Sequence, residues 1–192
     1  MVHCASQAQA QQVLAALHER MAQVGLQLHP DKTRIVYCKD SNRQAEFACT
    51  SFTFLGFTFR PRSARRKDGV MFTSFLPAVS KDALNKMSAK VRSWRLHRRV
   101  NSTGAELAEL VNPVVRGWMS YYGAFYRSAL YPLLHRINTN LLWWIMRKYR
   151  RLSTWKKSIQ AMGDARERNP RYFEHWAWVP PDTSMIRTTR AV

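Results

Sequence analysis

Acidic side chains are scarce in this 192-residue chain: 12 Asp and Glu stand against 31 Lys and Arg, for a formal net charge of +19. A compact fold with that excess repels itself unless a polyanion relieves it, so nucleic acid is the leading partner. Cysteine is also sparse. Cys4, Cys38 and Cys49 are odd in number and form no CxxC pair, which argues against a disulfide framework or a zinc site and fits a reducing compartment. No apolar run approaches the length of a bilayer span, and no charged-then-apolar leader opens the sequence. The expectation is a soluble protein with no membrane partner, cytoplasmic and associated with RNA or the nucleoid. Catalytic groupings are missing as well. No two acidic residues are adjacent, Glu106 and Glu109 read as an exposed helix face, and His3, Cys4, His29, His97, His135 and His175 lack metal-ligand spacing. The residues therefore predict no metal site, no cofactor and no catalytic residue in this chain.

What is present is a real core and a lopsided charge. Hydrophobic residues make up 46% of the chain, enough for one ordinary domain or two small ones. Residues 1–59 hold 5 basic and 4 acidic side chains, whereas residues 60–192 hold 26 and 8, which is +18 of the +19. A near-neutral front therefore meets a strongly basic back near Arg60-Pro61-Arg62.

Periodicity sorts these parts into elements. Ser6 can cap a helix carrying Val13, Leu14, Leu17, Met21 and Val24, ended at Gly25. Leu26 to Leu28 and Thr33 to Cys38, around a turn at Pro30-Asp31, read as a strand pair, and Lys39 to Gln44 as a loop. Phe52 to Phe59, interrupted at Gly56, and Val70 to Leu76 read as a hairpin across a basic loop from Arg60 to Gly69. From Ser80 the period becomes helical: Leu84, Met87, Val91 and Trp94 form one stripe, with Lys81, Lys86, Lys90, Arg92, Arg95, Arg98 and Arg99 largely off it. A break at Asn101 to Thr103 precedes a short helix over Ala105 to Val111. Pro113 suits the first turn of another, which Gly123 ends. Leu130, Leu134, Ile137, Leu141 and Ile145 mark a long helix closing in Arg147 to Arg151, where cations favour the negative end of the macrodipole. A basic tail follows from Ser153.

Basic faces interleaved with aromatics suit RNA, because cations release counterions from phosphates while aromatic and guanidinium planes stack on bases. Trp118 and Trp144 read as core; Tyr121, Tyr122, Trp143 and Trp155 are open to either role. A solvated helix face needs only a modest net charge. Binding is therefore favoured for Arg65-Arg66-Lys67, Arg98-Arg99 and Arg147, Lys148, Arg150 and Arg151. Arg92, Arg95 and Arg116 join them, with Tyr122 as a stacking platform.

Asn112-Pro113-Val114-Val115-Arg116-Gly117-Trp118, followed by Tyr121-Tyr122, resembles the signature of the maturase-specific X or thumb domain of group II intron reverse transcriptases. Phe173-Glu174-His175-Trp176 looks like the end of that domain. Gly25 to Thr33 resembles the palm segment after the active-site hairpin in these enzymes, and Phe54-Leu55-Gly56-Phe57 their primer grip. The resemblance implies an α+β chain: a partial palm over 1–76, made of a helix and short antiparallel strands, then an all-α thumb over 77–178 and a tail over 179–192.

In that family the Tyr-Ala-Asp-Asp metal site and the fingers would precede Met1. Its Mg2+ chemistry is thus not expected here, and the chain alone is not expected to polymerise DNA. Lys32 matches the family lysine that acts as general acid toward the leaving pyrophosphate, a vestigial role without the metal site. The implied function is RNA-binding maturase activity on group II intron RNA, with target DNA a further partner. The alternatives are a piece of a split polymerase or a nonfunctional remnant. In the split case a polypeptide bearing the fingers and palm would complete the chain, and Phe52, Phe54 and Phe57, if exposed, would form the interface.

Overall fold

Leu55 and Gly56 both take left-handed backbone angles, φ +49° and +80°, and so reverse the chain in two residues. This turn joins β1 (Phe52–Phe54) to β2 (Phe57–Arg65), and β3 (Met71–Val79) completes a sheet in the order β1-β2-β3. The computed structural model describes residues 1–181, so the expected tail lies outside the described residues from residue 182 onward. The fold is α+β, with five α-helices besides the sheet among the described residues.

The expected basic loop over Arg60 to Gly69 is mostly strand. The Arg66 N–H reaches the Val70 carbonyl at 2.9 Å and the Ser80 N–H reaches that of Gly56 at 2.8 Å, and both bonds obey one antiparallel register. In that register Pro61 turns its nitrogen away from β3, toward an edge that the three-residue β1 leaves open, so the missing N–H breaks no ladder bond.

The chain divides into two compact units. The first comprises Met1–Phe52 and Arg60–Phe75. Its helix α1 (Gln7–Gln23) starts where the Ser6 side chain accepts the Gln9 N–H and stops before Gly25, at φ +72°. The strand pair expected between Leu26 and Cys38 does not form. Thr33 N–H closes a turn on the His29 carbonyl, and Tyr37 N–H reaches Cys49 O, a bond without a ladder beside it. Runs that short hold as strands only when a partner supplies successive bonds. Among its described residues this unit buries none.

The second unit comprises Thr53–Phe59 and the chain from Leu76 onward, and it holds the core. Helix α2 (Lys81–Ser93) begins at Ser80, whose hydroxyl accepts the Ala83 N–H. It buries Ala83, Met87 and Val91, and Trp94 follows inside. Helix α3 (Gly104–Tyr122) opens with a capping box in which Thr103 and Glu106 satisfy each other's backbone N–H. It runs unbroken through Pro113, where two helices were expected. The unbroken stripe of Leu107, Ala108, Val111 and Val115 explains this, since burying such side chains contributes roughly 1.5–3 kcal/mol each, against about 3 kcal/mol for an internal proline.

Helix α4 (Tyr131–Lys148) buries the whole expected stripe from Leu134 to Ile145, and Leu130 just before it. The expected basic tail is instead α5 (Trp155–Arg168), packed through Ile159 and Met162, followed by a 3-10 turn over Glu174–Ala177 with His175 and Trp176 inside. Trp144 is core as expected, and Trp118 stacks on Trp94 with centroids 5.8 Å apart.

Candidate nucleic-acid interface

Arg95 is the first residue after α2 and its cap, and it takes φ +48°, a left-handed angle that folds the chain back at once. Leu96 thereby enters the core while Arg95 and Arg98 stay outside. Three side chains then bind the segment 94–102 to the C-terminal end of α4, and a fourth holds the segment to itself. Trp144 Nε1 donates to Arg99 O at 2.9 Å, and Lys148 Nζ to Ser102 O at 2.6 Å. Arg147 reaches His97 O at 3.5 Å, while Arg99 Nε donates to Trp94 O at 3.0 Å and holds the segment's own curve.

The result is a convergence of cations drawn from two elements distant in sequence. The His97 imidazole registers it: its pKa is lowered, first by burial and then by Arg147, Arg98 and Arg95. The chain continues from α4 into a 3-10 turn whose Arg150 and Arg151 are both exposed. Of the expected contacts, Arg95, Arg98, Arg99, Arg147, Lys148, Arg150 and Arg151 therefore share one region, with Arg92 exposed on α2. Arg99 and Lys148 hold backbone carbonyls, so their charge is shared with the fold.

The remaining expected residues lie elsewhere. Arg116 is ion-paired with Glu174. Arg65, Arg66 and Lys67, at the β2–β3 turn, and Lys32, in the turn after His29, belong to the other unit; Arg66 lies 3.7 Å from Asp68. Tyr122 is no free platform, since its ring is half-buried against Phe57 at 5.4 Å and Tyr121 at 4.8 Å.

The segment Phe54-Leu55-Gly56-Phe57 forms the β1–β2 turn. Tyr121 Oη donates to Leu55 O at 2.9 Å and fixes it. A Cβ on Gly56 would meet Tyr122 Oη at 2.9 Å, so both the left-handed angle and the space require glycine. Phe57 is buried, whereas Phe54 and Leu55 are exposed, so Phe57 cannot serve the interface considered for it. Between this turn and α2 and α3 runs a groove of about 740 Å³ whose lining includes Lys86, Lys90, Asp82, Trp118 and Tyr121. The sequence pattern places Lys86 and Lys90 only as cations off the apolar stripe. Their i, i+4 spacing, which places both on one side of α2, was the available signal.

Among the described residues no cluster of three His, Cys, Asp or Glu is placed to hold a metal ion, and no helix is long and apolar enough to cross a membrane. Residues 84–163, from the first turn of α2 into α5, match the family model of the group II intron, maturase-specific domain. No curated protein and no solved structure matches the chain.

Proposed function

The maturase-specific domain of group II introns, matched over residues 84–163, is the premise from which we propose that this chain binds intron RNA. The cations at the α4 end and the 94–102 segment would take the phosphates. By preferring the folded RNA over its open forms, the protein would shift the RNA toward the splicing-competent state, while the RNA supplies the chemistry. The observation that carries the reading is the gathering of Arg95, Arg98 and Arg147 around His97. Domain packing alone does not require three like charges around one imidazole, whereas a polyanion would relieve their repulsion. Adding the purified chain to its unspliced intron RNA and following product over time tests it. Faster splicing is expected, and an unchanged rate overturns it.

One observation favours a second reading. The unit formed by residues 1–52 and 60–75 buries none of its described residues, and it exposes Leu26, Val70 and Met71. Apolar surface of that kind suits a docking partner. On this reading the chain works as the C-terminal piece of an RNA-directed DNA polymerase whose other segments, with their Mg2+ site, come from a second polypeptide. Coexpression with such a polypeptide and a primer-extension assay separates the two readings.

A further inference from the structure

Between the C-terminal half of α3 and the turn at Glu174–Ala177 lies a cleft of about 300 Å³, with Arg116, Ser120, Gly123, Arg127, Glu174 and Trp178 in its lining. Three features of its walls bear on what it can hold. Both hydrogen bonds from Arg116 to Glu174 end on Oε1, the one from Nε at 3.1 Å. The second carboxylate oxygen keeps acceptor capacity, and the guanidinium keeps unused N–H groups beside it. The Arg127 guanidinium lies over the Trp178 ring, 5.0 Å from its centroid. With its face taken by the indole, its in-plane N–H edge remains available for an anion. Gly123 is buried so close to the same indole that a Cβ there would fall 2.0 Å from the ring, which makes Trp178 a fixed wall.

We propose that this cleft binds one unpaired guanine nucleotide of the RNA, an inference that rests on the RNA-binding reading above. The guanine edge places the O6 acceptor next to two N–H donors, at N1 and N2. Arg116 donates to O6, the Glu174 carboxylate accepts from N1 and N2, and Arg127 takes the phosphate. Adenine offers the opposite polarity, an amino group toward the guanidinium and an unprotonated nitrogen toward the carboxylate. Uracil supplies one donor where guanine supplies two. The excess of Arg over Glu in the lining suits the nucleotide's phosphate.

The test uses the full chain and adenosine decamers with a central guanosine, inosine or adenosine. The guanosine decamer is expected to bind about 10-fold more tightly than the all-adenosine one, with inosine, which lacks the N2 donor, in between. Glu174→Gln is expected to abolish the difference between the guanosine and adenosine decamers, and Arg127→Ala to weaken the guanosine decamer most. Equal, salt-sensitive affinity for all three decamers overturns the guanine cleft and leaves the RNA-binding reading standing. If none of them binds at low salt, the guanine cleft falls, and the RNA-binding reading is judged on structured intron RNA alone. The comparison of decamers on the unaltered chain needs no variant to fold.

Discussion

His175 and Asn138 share a 2.7 Å hydrogen bond between imidazole Nε2 and amide Oδ1, with neither side chain reaching solvent. The indole N–H of Trp176 donates to the same Asn138 oxygen at 3.0 Å, and the Asn138 amide nitrogen donates to Val179 O at 3.0 Å. An indole nitrogen is a donor only, so the atom it reaches is the amide oxygen, and His175 Nε2 must carry the proton. Nδ1 is left buried without a partner among the described residues. One asparagine thus joins α4 to the segment that follows α5.

Acid should loosen this joint. Burial, with a smaller push from His135, lowers the His175 pKa from its ordinary 6.5 to about 3. The unfolded chain takes up a proton near pH 6.5 and the folded chain does not until about pH 3. The contribution is therefore complete above 6.5 and is lost as pH falls between those values. Urea unfolding at pH 7.5, 5.5 and 4 is expected to show that decline. His175→Gln should flatten it, and an identical slope in the variant would contradict the assignment.

Two glycines, one inside α3 and one at its C-cap, should respond with opposite sign. A methyl at Gly123 meets Trp178 and the Met119 carbonyl at 2.0 and 2.4 Å, so Gly123→Ala is expected to destabilise by about 1–3 kcal/mol. A Cβ at Gly117 would meet nothing within 4 Å among the described residues, so Gly117→Ala should stabilise by roughly 0.5–1 kcal/mol. Chemical denaturation measures both, and two changes of the same sign would refute the contrast.

Pro113 sits exposed inside α3, where its missing N–H leaves the Glu109 carbonyl without its helical partner. Restoring that bond with Pro113→Ala is expected to raise stability by up to about 3 kcal/mol. A neutral or destabilised variant would mean that the proline shapes the helix in a way the core requires.

These cases show what the sequence disclosed and what it hid. Periodicity located the α2 and α4 stripes, and Ser6 and Ser80 marked the starts of α1 and α2, because both signals are local. Pro113 misled the division of α3, since the energy that overrides it comes from Leu107 to Val115 packing against residues far along the chain. The strand over Arg60 to Arg65 was obscured by its charges and Pro61, and only the register with β3 makes Pro61 acceptable there. At the candidate interface the arginines were legible as residues. That Arg116 is committed to Glu174, and Arg99 and Lys148 to carbonyls, was not, because those partners lie 58, 5 and 46 residues away.

His97 offers a reporter on the basic face. Its pKa is held down by burial and then by Arg147, Arg98 and Arg95. Phosphates placed on those arginines would offset their charge, so an upward shift is expected when intron RNA is added, read by NMR titration of the imidazole. An unmoved pKa at saturating RNA would place the RNA elsewhere.

The most direct measurement is the affinity of the chain for structured intron RNA as a function of salt. Phosphate contacts by the exposed arginines predict a log–log slope of about −4 or steeper. Neutralising Arg98 and Arg150 together should make it shallower by roughly two, with the melting temperature unchanged. A flat salt dependence, or a slope indifferent to both substitutions, would contradict the claim that this cationic surface grips RNA.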